Sequence, residues 1–349
     1  MKSAKKNIKP SLLLLFCLVF LTAFPFCNKS STGGTLTPQP PANFAKGADI
    51  SWITEMESAG RIFYNASGVA MDCFQLLKSL GVNSIRLRAW VNPSNSWCNT
   101  DDVIAKALRA KNLGMRVMID LHYSDSWADP GQQNKPAAWS AFDLTTIQSA
   151  VYNYTVDIIT RLKNAGVTPE WVQVGNETND GMLWPTGKAS VNMAAYVSLI
   201  NKGYDAVKFV DSNIKVIVQL SNGYDNSLYR WLFDGIRNNG GKWDIIGMSL
   251  YPTTSNWSAL NSQCLSNMND MITRYNKPIM ICEVGMSWDQ PTACHDFLAD
   301  LLTKLYSLPN QMGLGVFYWE PESYNGWQGY TLGAFDNSGK PTAALSAFN

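Results

Sequence analysis

The chain is 349 residues long, room for one large domain or two ordinary ones. Charged residues make up 16% of it and apolar residues 46%, which excludes a disordered chain and allows a large core. The formal net charge is +1; without the four lysines of the leader read below it falls to about −3, with no basic run, which excludes nucleic acid as a partner.

The first predicted element is an export signal over residues 1–26. Lys2, Lys5, Lys6 and Lys9 form a positive region, and Ser11 to Phe24 is an almost unbroken apolar stretch. That stretch is short of the roughly 20 apolar residues a membrane span needs. It ends at Phe24-Pro25-Phe26-Cys27, which resembles a bacterial lipoprotein signal whose Cys is lipidated and becomes the first mature residue. Phe26 stands where a small residue is usual, and ordinary cleavage nearby is the alternative. Residues 27–43, rich in Ser, Thr, Gly, Pro and Gln, read as a flexible tether. The expectation is an exported protein, lipid-anchored through Cys27 at an outer membrane or cell surface. Five cysteines follow: Cys73, Cys98, Cys264, Cys282 and Cys294. Their odd number and lack of CxxC spacing indicate neither a zinc site nor a full disulfide framework. An oxidising compartment allows one or two disulfides among them, with the pairing open.

From residue 44 to the C-terminus one pattern repeats: a short β-rich run ends in polar residues and an amphipathic stretch follows. The predicted strands are Gly47–Ser51, Ser84–Trp90, Arg116–Tyr123, Trp171–Glu177, Lys215–Leu220, Ile245–Pro252, Ile279–Gly285 and Gly315–Pro321, eight in all. Several are apolar at consecutive positions (Val117-Met118-Ile119, Ile279-Met280-Ile281), as strands buried on both faces of a parallel sheet are. Predicted helices lie between them: Met71–Leu80 stopped by Gly81, one opened by Asp101-Asp102 and closed by Gly114, Thr145–Ala165, Asn192–Val210, Asn226–Asn239, Ala259–Tyr275 and Thr292–Leu308. Eight strand–helix units predict an α/β fold, a closed (β/α)8 TIM barrel, as one catalytic domain over residues 44–349. A doubly wound open sheet is the alternative, but no Gly-rich phosphate loop follows the first strand.

The active site of such a barrel lies at the C-terminal ends of its strands. Those ends are polar here: Asp49 on the first strand, Arg86 and Arg88 on the second, Asp120, His122 and Asp125 on the third, Asn176-Glu177 on the fourth. Tyr251 ends the sixth, Glu283 the seventh, and Trp319-Glu320 the eighth. A carboxylate at the top of a buried strand is costly to desolvate unless it is paired or functional. Glu177 and Glu283, on the fourth and seventh strands, face one another across the rim. Glycosidic hydrolysis needs one carboxylic acid to protonate the leaving oxygen and one carboxylate on the far side of the anomeric carbon. Asn176 beside Glu177 can reach a sugar 2-hydroxyl, which marks Glu177 as acid/base. Glu283, kept ionised by Arg86 or Arg88 and oriented by Tyr251, is the nucleophile. Asp49, Arg86, Arg88, His122, Asp125, Asn176 and Tyr251 are the candidate substrate contacts, and Trp319 the stacking floor. Thirteen Trp and fourteen Tyr exceed the usual need of a core. Trp90 and Trp127 are candidate sugar platforms, and loop residues Trp97, Trp139 and Trp184 fit either a platform or loop packing.

With these residues in view the chain resembles glycoside hydrolase family 53, the arabinogalactan endo-β-1,4-galactanases, from about Gly47 to the C-terminus. The motifs are Gly47-Ala48-Asp49-Ile50-Ser51, Arg86-Leu87-Arg88-Ala89-Trp90-Val91-Asn92-Pro93 and His122-Tyr123-Ser124-Asp125-Ser126-Trp127-Ala128-Asp129-Pro130-Gly131. Val172 to Glu177, Asp244 to Pro252 and Phe317 to Pro321 complete them. The resemblance implies a retaining mechanism, internal cleavage of β-1,4-galactan in pectin side chains, Glu177 as acid/base and Glu283 as nucleophile. Cys282-Glu283-Val284-Gly285 departs from the Glu-Thr-Gly usual there, but Val284 should point away from Glu283. Some members bind calcium in a late loop; no acidic cluster here supports that, and neither metal nor cofactor is expected. The expected partner is the polysaccharide alone, met by a monomer. Two other readings share the barrel: a β-mannanase or β-glucanase, which the catalytic pair does not distinguish, and a binding lipoprotein without catalysis, which the joint presence of Asn176, Glu177 and Glu283 disfavours.

Overall fold

The computed structural model describes residues 40–349. The leader, Cys27 and all but the last residues of the tether lie outside the described residues. Eight parallel strands close a barrel: β1 (Ala45–Asp49), β2 (Ser84–Ala89), β3 (Arg116–Leu121), β4 (Trp171–Val174), β7 (Lys215–Leu220), β8 (Ile245–Leu250), β9 (Ile279–Val284) and β10 (Gly313–Trp319). Between β4 and β7 a small antiparallel hairpin, β5 (Gly181–Met182) and β6 (Gly187–Lys188), was not legible as strand. The predicted (β/α)8 barrel is therefore the observed one.

Helices α1 (Ile53–Ser58), α2 (Cys73–Ser79), α3 (Thr100–Asn112), α4 (Leu144–Asn164), α5 (Met193–Val210), α6 (Asn226–Asn238), α7 (Trp257–Tyr275) and α8 (Pro291–Tyr306) follow the strands. Side-chain caps set five of their starts: Asp72, Asn99, Asp143, Asn192 and Asp225 each accept the backbone N–H three residues on, and each such cap contributes about 1 kcal/mol. Asp72 explains why α2 opens at Cys73 and not at Met71. The short α1 escaped prediction.

Seven of the eight strands end short of their predicted limits, because the chain turns sharply into the rim loops. Tyr123, Gly175, Glu177 and Glu320 all carry positive φ, at 51°, 81°, 43° and 44°, which ends strand geometry at once. At Gly175 a Cβ would lie 2.6 Å from Thr178 Cγ2, so both the turn and the packing require glycine.

The large core fills the space between strands and helices, and a smaller one plugs the barrel itself. Ala45, Met118, Trp171, Ile217, Ile245, Met280, Cys282 and Phe317 form that plug, with Trp171 edge-on to Phe317 at 6.1 Å. Gly47 makes room for it, since a Cβ there would lie 2.2 Å from the Phe317 ring. The plug supports a floor of polar side chains one layer higher. In β9 the pairing slips: Met248 faces Ile281 but Ser249 faces Glu283, and Val316 faces Ile281 but Tyr318 faces Val284. Cys282 is the extra residue of a β-bulge, so Cys282 turns into the plug and Glu283 into the cleft above it. Val284 points outward into the main core, as expected. All five cysteines of the described residues are buried and free, so none of the disulfides allowed by the sequence forms.

Candidate active site

A cleft of about 640 Å³ opens at the C-terminal ends of the strands, and Glu177 and Glu283 both line it. Trp52, Trp90, Trp127, Trp319, Tyr251 and Tyr330 give it aromatic walls, and His122, Asp129 and Asn176 add polar edges. A cleft of this size and lining suits a chain of sugars, whose apolar faces stack on rings and whose hydroxyls need donors and acceptors.

Arg86 organises the floor. It is fully buried, and its Nη1 donates to Asp49 Oδ2 at 2.6 Å. Its Nη2 lies 2.9 Å from Asp120 Oδ2 and 2.8 Å from Glu283 Oε1, and also within 3.1 Å of acceptors on Gln173 and Asn176. The other Glu283 oxygen, Oε2, accepts from the Tyr251 hydroxyl at 2.8 Å. The Glu283 carboxyl stays above the ordinary glutamate range: burial pushes it up most, Asp120 adds to that, and the Arg86 charge and the Tyr251 hydrogen bond offset only part of it. Arg88 takes no part. Of the two arginines expected beside Glu283, only Arg86 pairs with it.

Glu177 has the opposite surroundings. It makes no ion pair among the described residues, and burial followed by the Glu283 charge pushes its carboxyl up to about 8. Its backbone N–H donates to Gln219 Oε1, and Gln219 Nε2 donates in turn to Ser249 Oγ, so a polar relay fixes the left-handed turn. Two carboxyl groups with unlike surroundings hold a single proton between them most readily on Glu177.

His122 is a neutral imidazole held in one tautomer. Its Nδ1 accepts from Trp90 Nε1 at 3.3 Å and from the Ala128 N–H at 3.2 Å, so the proton sits on Nε2, 2.9 Å from Asp120 Oδ2. Burial lowers its basicity further. Asn176 accepts from Arg86 and Gln173 through Oδ1 and donates one Nδ2 hydrogen to the Ala128 carbonyl at 2.9 Å. Its second Nδ2 hydrogen is left for the cleft it lines.

Several expected contacts are displaced. Asp49, Arg86 and Arg88 lie beneath the cleft surface, fully buried, and touch no open space. Asp125 is a loop clamp, its two oxygens accepting from the Asn92 and Ala137 N–H groups. Trp97, Trp139 and Trp184 are not at the cleft; Trp139 packs on Tyr154, and Trp184 Nε1 donates to the Asp180 carbonyl. Trp90, Trp127 and Trp319 do line it. Trp52, Tyr330, Gln173, Gln219 and Ser249 were missed. For the last three a signal existed: each is a polar residue at an inward position of an otherwise apolar strand, β4, β7 or β8.

Comparison with known proteins agrees with this geometry. Residues 45–348 match the sequence pattern of glycosyl hydrolase family 53. The chain belongs to that family. Among its relatives is an arabinogalactan endo-β-1,4-galactanase of Thermothelomyces thermophilus, 34% identical over 87% of this chain and 98% of its own. A protein of Niallia circulans encoded 5′ of bgaB, of unassigned function, is also 34% identical, over 86% of this chain and 89% of its own. Among solved structures, one of two fungal β-1,4-galactanases superposes with a TM-score of 0.80 at 33% identity, covering 86% of this chain and 98% of that one. The family-53 catalytic domain of Ignisphaera aggregans gives 0.81 at 29% identity over 90% and 97%. An exo-β-1,4-mannosidase from an Opitutaceae bacterium, at 17% identity and a TM-score of 0.63, shares the fold alone.

Proposed function

We propose that this family-53 enzyme is an endo-hydrolase of β-1,4-galactosidic bonds in galactan and type I arabinogalactan, acting with retention through Glu177 and Glu283. The observation that carries the mechanism is the asymmetry of the two carboxyl groups around one cleft. Glu283 sits on an arginine and a tyrosine hydroxyl, and Glu177 on neither. The substrate class is supported by the relatives named for galactanase activity.

In the first step the protonated Glu177 gives its proton to the glycosidic oxygen as that bond breaks, and a Glu283 oxygen bonds to the anomeric carbon. The aglycone half leaves as an alcohol and the other half remains as an ester of Glu283. Glu177, now a carboxylate, takes a proton from water; the water oxygen attacks the same carbon and Glu283 leaves ionised. Arg86 and Tyr251 stabilise the Glu283 carboxylate before and after the ester, and so hold it as a competent leaving group. The free Nδ2 hydrogen of Asn176 is placed to meet the 2-hydroxyl, where such bonds tighten in the transition state.

A panel of β-1,4-galactan, mannan, xylan and glucan tests the substrate. Short galacto-oligosaccharides with a rapid fall in viscosity are expected from galactan. Activity confined to mannan or glucan would overturn the specificity and leave the chemistry standing. The enzyme is exported and anchored through Cys27; the lysine-rich, apolar leader ending at that cysteine supports this. Expressed full-length in a bacterial host, the protein should sediment with membranes, and Cys27→Ala should release it. Equal partition of the two would remove the anchor.

A further inference from the structure

Arg88 was expected to touch sugar or nucleophile and does neither; its side chain is 1% exposed and lies behind the cleft wall. Its Nη1 donates to Glu320 Oε1 at 3.1 Å, whereas Nε and Nη2 have no hydrogen-bond partner. Rings surround the guanidinium. Its central carbon is 4.3 Å from the ring centre of Trp127, 4.9 Å from Trp90 and 5.7 Å from Trp52. All three rings line the cleft. They also touch edge to face, Trp90 on Trp127 at 5.2 Å and Trp52 on Trp127 at 5.8 Å. The cation faces the negative π-clouds, which meet charge that the orphaned donors would otherwise leave unmet. Glu320 completes the unit, since its Oε2 accepts from the backbone N–H of Trp52 at 3.1 Å. One buried ion pair therefore touches side chains or backbone of three wall tryptophans drawn from three different places in the chain.

We propose that Arg88, fixed by Glu320, is a positioning residue that sets the spacing and tilt of the Trp52–Trp90–Trp127 wall, and so controls how tightly a sugar chain is held along the cleft. The proposal rests on the reading of this cleft as a galactan site and concerns binding there, not the two glutamates. A planar, delocalised guanidinium can face several rings at once, whereas the compact ammonium of lysine cannot. Arg88→Lys keeps the charge opposite Glu320 and removes the plane. Glu320→Gln keeps the shape and removes the charge that aims the arginine.

The test compares the full-length wild-type enzyme with Arg88→Lys, Glu320→Gln and the double variant on soluble β-1,4-galactan. The expected result is a KM about tenfold higher in each single variant, kcat within about threefold, and both limbs of the pH profile in place. The double variant should resemble the worse single one, because both act through one contact set. Tryptophan emission of the ligand-free single variants should move to longer wavelength, and its change on adding β-1,4-galactotetraose should shrink. An unchanged KM and emission, or a fall in kcat with a displaced pH limb, would overturn the proposal. If Arg88→Lys does not fold, Glu320→Gln carries the comparison, with Trp127→Phe reporting the loss of the shortest ring contact. The ligand-free emission separates the two readings: it tests the wall even where the wild-type enzyme ignores galactan.

Discussion

Glu283→Gln is expected to lower turnover of β-1,4-galactan by at least about four orders of magnitude while the barrel stays folded. The amide is the same size, and its oxygen can still accept from Tyr251 or Arg86, so packing around it is preserved. Arg86 keeps two carboxylate partners, Asp49 and Asp120, and is not left as a lone buried charge. What disappears is the bond to the anomeric carbon. Initial rates of reducing-end release give the loss, and a melting curve checks the fold. The mass of wild-type enzyme treated with a slow 2-deoxy-2-fluoro galactosyl donor should rise by one glycosyl unit, and the variant's should not. More than about one per cent residual activity in a clean preparation would place the nucleophile elsewhere.

Glu177→Gln should cost about 10²–10⁴ in kcat on galactan, the usual range for a lost general acid/base. On an aryl galactoside whose leaving group needs no proton, the first step should largely recover. The alkaline limb of the wild-type profile, set by loss of the Glu177 proton near pH 8, should vanish with it. A second consequence concerns stability. In the unfolded chain a glutamate titrates near pH 4.3, and in the fold Glu177 titrates higher because it is buried beside Glu283. Between those values the folded state holds a proton that the unfolded state has released, so stability falls as pH rises through the window. Glutamine has no such slope. The variant should match the wild type near pH 4 and melt higher at pH 8, by about 3 °C or more. Equal melting temperatures at pH 8 would mean that Glu177 pays no burial penalty.

The fold and the meeting of Glu177 and Glu283 at one cleft were legible because both are written in alternation and position. Eight apolar runs with polar ends specify a barrel and its rim, and the fourth and seventh ends carry the glutamates. Depth was not legible. Arg88 stands two residues before Trp90 and Asp49 three before Trp52, both at the cleft, yet Asp49 supports Arg86 and Arg88 backs a wall of rings. Asp125, inside the most distinctive motif, ties two loops together through backbone N–H groups. Nothing in a linear sequence separates a side chain at the surface of a cleft from one a layer below it. Trp52 and Tyr330 were missed for a related reason: they enter the cleft from loops, where no periodicity tells direction. Gln173, Gln219 and Ser249 were within reach, since polar residues on the inner face of a plugged barrel have to bond to one another.

The bulge at Cys282 bears on how this strand tolerates insertions and deletions. Without the extra residue, glutamate would follow Ile281 directly and would still face inward, taking the place of Cys282. It would do so about 3.3 Å further down the barrel, level with the apolar plug and below the plane of the Tyr251 hydroxyl. Cys282 thus works as a shim: its side chain fills the plug, and its backbone lifts the following carboxylate to the level of the cleft. The plug limits the side chain to a small one, and the length of the strand sets where the carboxylate lies.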